Sequence, residues 1–166
     1  MTTSQNHYSK VAVILHWLIA AAIVFQLALG WRMGEEPKGP ALYALFQLHK
    51  SIGFSILFLS LFRLGWRLTH RAPPLPAAMP AWEQLAAKLT HLAFYGIMIG
   101  VPLSGWLLVS TSKINIPTLL FGQVPMPHLP WFVALAADAK ANWHELAEDS
   151  HSLLAFATAG LLALHL

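Results

Sequence analysis

The stretch VAVILHWLIAAAIVFQLALGW, Val11–Trp31, decides the fold class: its 21 residues carry no formal charge. About 20 apolar residues suffice to cross the hydrocarbon core of a bilayer. A cleaved signal peptide has a shorter apolar region and a small-residue cleavage site. This run instead ends in Leu29-Gly30-Trp31-Arg32, so it reads as a retained membrane span.

Three more apolar runs occur. The second extends from Leu42 to about Leu68, with His49 and Lys50 near its start and Arg63 and Arg67 near its end. Long basic side chains at such ends reach the interface by snorkelling. The third is Leu89–Ser110, with Pro102 inside it. A membrane helix tolerates a proline, usually with a kink. The fourth begins near Ser150 and is still apolar at Leu166. Roughly 17 residues is the lower limit for a span, so a continuation into a polar anchor is expected and the fourth span reads as truncated. The expected fold is one all-α membrane domain, a four-transmembrane-helix bundle with spans at about 11–31, 42–68, 89–110 and 150–166. A long outer loop, 111–149, is expected to hold a Pro-rich half (Pro117–Pro130) and an interfacial helix from Trp131 to Glu148.

Composition agrees. Hydrophobic residues make up 57% of the 166 and charged residues 10%, against about 25% charged in a soluble domain. A chain this small has too much surface to hide so much apolar material inside a soluble core. A soluble enzyme, a nucleic-acid binder and a disordered protein are all disfavoured. The net charge of +3 rests on few groups, so their placement matters more than their sum.

Lys10, Arg63, Arg67, Arg71 and Lys88 flank one side of the spans, with Glu83 as the acid among them. Arg32, Lys38, Lys50, Lys113 and Lys140 flank the other, against Glu35, Glu36, Asp138, Glu145, Glu148 and Asp149. Basic residues set orientation. The counts tie, but Arg63, Arg67 and Arg71 cluster tightly. The N-terminus and the Pro-rich loop Ala72–Pro80 are therefore placed in the cytoplasm. Trp31, Trp66, Trp82, Trp131 and Trp143 near span ends fit an aromatic belt.

No cysteine occurs, which excludes disulfides, iron–sulfur clusters and covalently attached haem, whereas histidine occurs nine times. His16, His49, His91, His151 and His165 fall within spans, and an ionisable side chain there is a functional candidate. His151 and His165 are 14 residues apart. At 1.5 Å per residue that puts them on about one face, roughly 21 Å apart. Depth then allows one pairing: His16 with His165 on the inner side, His49 with His151 on the outer side. Two stacked sites with two axial imidazoles each suit a pair of b-type haems, and filled axial positions favour electron transfer over oxygen binding. Ala155, Thr158 and Gly53 are small residues that leave room for a porphyrin, or simply for helix packing. Zinc is less well served, because it needs three or four close ligands.

Taken together, these residues resemble the bacterial cytochrome b561 family. Tyr8-Ser9-Lys10 with Leu15-His16-Trp17, Leu48-His49-Lys50-Ser51-Ile52-Gly53, His91-Leu92-Ala93-Phe94-Tyr95 with Pro102-Leu103-Ser104-Gly105-Trp106, Phe121-Gly122 and the His151–His165 spacing carry the likeness, in order, through nearly the whole chain. The resemblance implies two non-covalent haem b groups in a bacterial inner membrane and electron transfer linked to the ubiquinone pool. Some members oxidise superoxide at the outer surface. That anionic donor favours a positive surface, which the summed outer charges do not supply.

Other residues keep two readings each. His91, at the inner end of the third span, is a candidate quinone site or a structural hydrogen bonder. Arg63, Arg67 and Lys88 are candidates for haem propionates or solvated anchors, and Lys50 is the outer counterpart. His144 lies seven residues before His151 and is the alternative outer ligand. His7, His70 and His128 read as surface residues. Gly96-x-x-x-Gly100 permits close helix approach. The leading function is a di-haem membrane electron carrier or oxidoreductase between an outer donor and ubiquinone. The alternatives are a haem-bearing anchor subunit of a larger respiratory complex, such as a hydrogenase, and a histidine-lined metal or proton transporter. Lipid, quinone and a partner subunit are the expected partners; nucleic acid is not.

Overall fold

The computed structural model describes residues 8–70, 73–76 and 78–165. His7, Arg71 and Leu166 lie outside the described residues. The elements are α1 (Lys10–Glu35), α2 (Pro40–Thr69), α3 (Ala81–Thr111), β1 (Thr118–Leu120), β2 (Val124–Met126), α4 (Pro130–Val133) and α5 (Ala137–His165).

Local chemistry accounts for the boundaries. Ser9 caps α1, its hydroxyl accepting from the Ala12 amide at 3.2 Å. The same hydroxyl accepts from Trp66 Nε1 at 3.0 Å, which ties the start of α1 to the end of α2. Pro40 occupies the first turn of α2, where its missing N–H costs nothing. Helix α3 continues through Pro102. Helix α3 begins at Ala81, eight residues ahead of its apolar run at Leu89, because polar helical turns are free to project beyond the hydrocarbon layer.

Helices α1, α2 and α3 are long and apolar enough to cross a membrane. In α5 the first half carries Asp138, Lys140, Glu145, Glu148 and Asp149, and the uncharged stretch starts at Ser150. Exposed Ile14, Trp17, Leu18, Phe58, Phe62, Leu92, Leu153 and Phe156 stud the helix surfaces, where a soluble bundle carries charge. Buried hydroxyls bond back into their own helices: Ser51 to Gln47 O (2.7 Å), Ser110 to Trp106 O (2.7 Å) and Thr158 to Leu154 O (2.7 Å). Such bonds satisfy a polar group where no water is at hand.

Packing runs α1 on α2, α2 on α3, and α3 on α5. Leu15, Ile19, Phe54, Ile56, Leu57, Ile97 and Met98 form its apolar interior. Among the described residues, α5 has no comparable backbone packing against α1 or α2. Side chains reach across that space instead.

Two expectations are corrected. The segment expected as one interfacial helix, Trp131–Glu148, is divided: its first three residues belong to the short α4, and from Ala137 it is the start of α5, which runs 29 residues without a break; no proline or glycine interrupts α5 before Gly160. The all-α expectation misses a small antiparallel hairpin, β1 with β2, in register Thr118↔Met126. Phe121 and Gly122 turn it with φ of 50° and 73°, the left-handed pair that a tight hairpin requires. Helix α2 holds the hairpin in place: Ser51 Oγ accepts from the Phe121 amide at 2.9 Å, Gln47 Oε1 accepts from the Leu119 amide at 3.2 Å, and Gln47 Nε2 donates to Pro117 O at 2.9 Å.

Candidate haem-ligand pairs

At the hairpin end, His49 of α2 faces His151 of α5, with ring centres 6.1 Å apart at 72°. His151 Nδ1 lies 3.0 Å from the Val101 carbonyl and 3.0 Å from Ser104 Oγ. A carbonyl only accepts, so Nδ1 carries the proton and Nε2 is left with a free lone pair. Ser104 in turn donates to Val101 O at 2.8 Å, completing a support that fixes ring orientation. Gly105 makes the position possible: a Cβ there would stand 3.0 Å from His151 Cε1.

His49 is held differently. Gln26 Nε2 donates to its backbone carbonyl at 2.9 Å. A Cβ on Gly30 would meet His49 Cε1 at 3.6 Å, and one on Gly53 would meet Gln26 Nε2 at 3.4 Å. His49 Nδ1 is buried without a hydrogen-bond partner, as is Gln26 Oε1.

At the opposite end, His16 of α1 faces His165 of α5, with ring centres 6.2 Å apart at 68°. Phe94 packs edge-on to His165 at 5.0 Å. Arg63 Nη2 lies 3.5 Å from His16 Nδ1 and its guanidinium sits 5.5 Å from the Tyr95 ring centre. The first contact is at the long limit for a hydrogen bond, so Arg63 is free to turn toward a better anion. His91 is exposed and lies within electrostatic range of Arg67, Arg63 and His165.

These pairs can be tested against an iron. Imidazole nitrogens bind first-row metals at about 2.0–2.1 Å, and a ring nitrogen is roughly 1 Å from the ring centre, so two axial rings on one metal stand about 6 Å apart. Both pairs match that spacing. The His49 ring, without a partner at Nδ1, and the lone pair left on His151 add the donor chemistry. Among the described residues no group of three or more histidines and acids is poised for a metal; the histidines meet in twos.

The remaining candidates are spread around these pairs. His144 lies against α3, with Nδ1 3.2 Å from Thr111 Oγ1, and lines a depression with Lys113, Lys140, Glu145 and Glu148. Lys50 Nζ donates to Pro117 O at 3.3 Å. Gly100 approaches Leu154 of α5, whereas Gly96 faces open space. His70 is exposed and stacks on Trp66 at 3.8 Å. His128, read from sequence as a surface residue, is half-buried, and its Nε2 is buried without a partner. Burial, then the Lys50 and Lys140 ammonium groups, push its imidazole below the ordinary value. The supports Val101 O, Ser104 and Gln26 carry no sequence signal beyond the Ser104-Gly105-Trp106 fragment.

Comparison with known proteins places this geometry in context. The sequence model of the prokaryotic cytochrome b561 family matches residues 7–166. Cytochrome b561 homolog 2 of Escherichia coli K12 is 31% identical over 166 residues, covering 99% of this chain and 83% of its own length. Cytochrome b561 homolog 1 of the same strain is 29% identical, covering 97% of this chain and 90% of its own. Cytochrome b562 of Cereibacter sphaeroides is 30% identical over 112 residues, 62% of this chain and 66% of its own.

Proposed function

Because the chain belongs to the prokaryotic cytochrome b561 family, and is thus a bacterial membrane cytochrome of b type that serves electron transfer, we propose that it is a di-haem carrier between an outer donor and the ubiquinone pool. The observation that carries the reading is the two imidazole pairs, 6.1 and 6.2 Å across, set about 21 Å apart along α5. His49 and His151 are the proposed outer ligands; His16 and His165 are the inner ones. Bound haem b supplies reversible one-electron chemistry at potentials tuned by its surroundings.

The chain's own residues do the rest. Val101 O and Ser104 hold the His151 tautomer. Gly105 lets the backbone of α3 close on the His151 ring. Arg63, with Arg67 also within electrostatic range of His91, offers positive charge for inner propionates, with Lys88 three residues before His91 on α3, and Lys50 does so outside. His91 at the inner cluster is the proposed quinone contact. The fourth crossing is proposed for the uncharged part of α5, with the N-terminus cytoplasmic in the inner membrane, since Arg63, Arg67 and Lys88 gather at that end. Superoxide is the proposed donor on the strength of the family resemblance.

Single-histidine variants test the pairing. His49→Ala and His151→Ala should each remove the same redox transition in a difference-spectrum titration, and His16→Ala and His165→Ala the other. If His49→Ala and His16→Ala abolished one common transition, the assignment would be wrong.

A further inference from the structure

Helix α1 carries an amide, Gln26, inside its apolar stretch. An amide among membrane helices is costly unless it is hydrogen-bonded. Gln26 Nε2 donates to the backbone carbonyl of His49 at 2.9 Å. A Cβ on Gly53 would stand 3.4 Å from the same nitrogen, so the amide lies along the turn of α2 that runs from His49 to Gly53. One turn further along α1, a Cβ on Gly30 would stand 3.6 Å from His49 Cε1. Gln26 and Gly30 therefore share a face of α1, and His49 lies against it, its backbone at the first and its ring at the second.

The bonding is half complete. A carbonyl only accepts, so Nε2 is the amide atom that meets His49 O, and Oε1 is aimed elsewhere. Oε1 is buried without a partner, and so is His49 Nδ1. A nitrogen enclosed by protein is not open to an iron, which leaves Nε2 as the ligating atom. A neutral imidazole bound through Nε2 carries its proton on Nδ1. The result is one N–H without an acceptor and one oxygen without a donor, on two residues already joined by a hydrogen bond. Across the site, His151 has the same arrangement completed, with Nδ1 3.0 Å from Val101 O. The inner pair differs: His16 Nδ1 faces a donor, Arg63 Nη2, at 3.5 Å.

Resting on the di-haem reading, we propose that Gln26 is a positioning residue of the outer haem, its Oε1 accepting from the Nδ1–H of haem-bound His49 while Nε2 keeps the His49 carbonyl. The terminal torsion of a glutamine is soft, so turning the amide toward the ring costs little. The grip fixes the tautomer and direction of the ring. It also raises the basicity of the imidazole. A more basic axial ligand favours the ferric state, so Gln26 lowers the outer midpoint potential, one of the levers a protein has on a haem.

The experiment is a redox titration of the full-length, haem-loaded protein in detergent, for wild type, Gln26→Met and Gln26→Glu. Methionine matches the length of glutamine without its polar atoms. In Gln26→Met the outer reduction equilibrium should shift toward the reduced form roughly 2- to 10-fold, the worth of one hydrogen bond. Glutamate keeps an acceptor whether neutral or ionised, so Gln26→Glu should hold the outer equilibrium at the wild-type value or shift it toward the oxidised form. Inner values should stay as in wild type. Loss of the outer haem from Gln26→Met but not from Gln26→Glu would equally support the grip. Silence in both variants, the same upward shift in both, loss of the outer haem from both, or equal shifts at both haems would overturn it. A two-haem wild type with silent variants would sink this inference alone; a wild type without haem would sink it together with the reading beneath it.

Discussion

At the residue scale, the outer pair depends on one glycine and a carbonyl. At Gly105 the missing Cβ would be 3.0 Å from an imidazole carbon whose other side is held by Val101 O and Ser104. Gly105→Ala should push His151 off line, at the cost of an overpacked site, about 1–3 kcal/mol. The expected outcome is a weakened or missing outer haem signal with the inner signal intact, read by difference spectroscopy. Gly96→Ala, where a Cβ meets nothing within 4 Å, should leave both signals unchanged. The site was partly legible at this scale. Histidine depth along each span brings together the residues that the fold juxtaposes. The supports were not legible, since a backbone carbonyl leaves no trace in a side-chain pattern. His128 was misread because its burial comes from distant residues, Trp106 and Ser110, that reach its neighbours.

At the element scale, α5 is one continuous helix carrying a proposed ligand for each site. Its 14-residue spacing is close to four turns, and each inserted residue rotates the C-terminal remainder of the helix by about 100°. Inserting one alanine after Ala157 should swing His165 away from His16 and leave His151 in place. The prediction is loss of the inner redox transition alone; loss of both would show that α5 does not act as a rod. The continuity of α5 was hidden in the sequence by the acidic run Glu145–Asp149, which reads as an interfacial segment although helix formation tolerates it. The hairpin was hidden for another reason: three-residue strands are too short for an alternation pattern, and they are positioned by Gln47, Lys50 and Ser51 of a different element. At the opposite end, His91 adjoins the basic residues without joining either pair. His91→Ala should keep both haems and weaken quinone exchange roughly 2- to 10-fold, the worth of one hydrogen bond. Loss of a haem would instead make His91 a structural prop.

At the scale of the whole molecule, composition spoke most clearly. Three helices suited to a membrane and apolar side chains turned outward are what 57% hydrophobic content predicts for so small a chain. What composition could not show is that α5 meets α1 and α2 through two imidazole pairs rather than through close backbone packing. The di-haem reading stands on both pairs holding a haem. A pyridine haemochrome determination on purified full-length protein, set against protein concentration by amino-acid analysis, measures this directly. Two haem b groups per chain, released by acid and organic solvent because no cysteine holds them, is the predicted result; one per chain or none in fully loaded protein would contradict it.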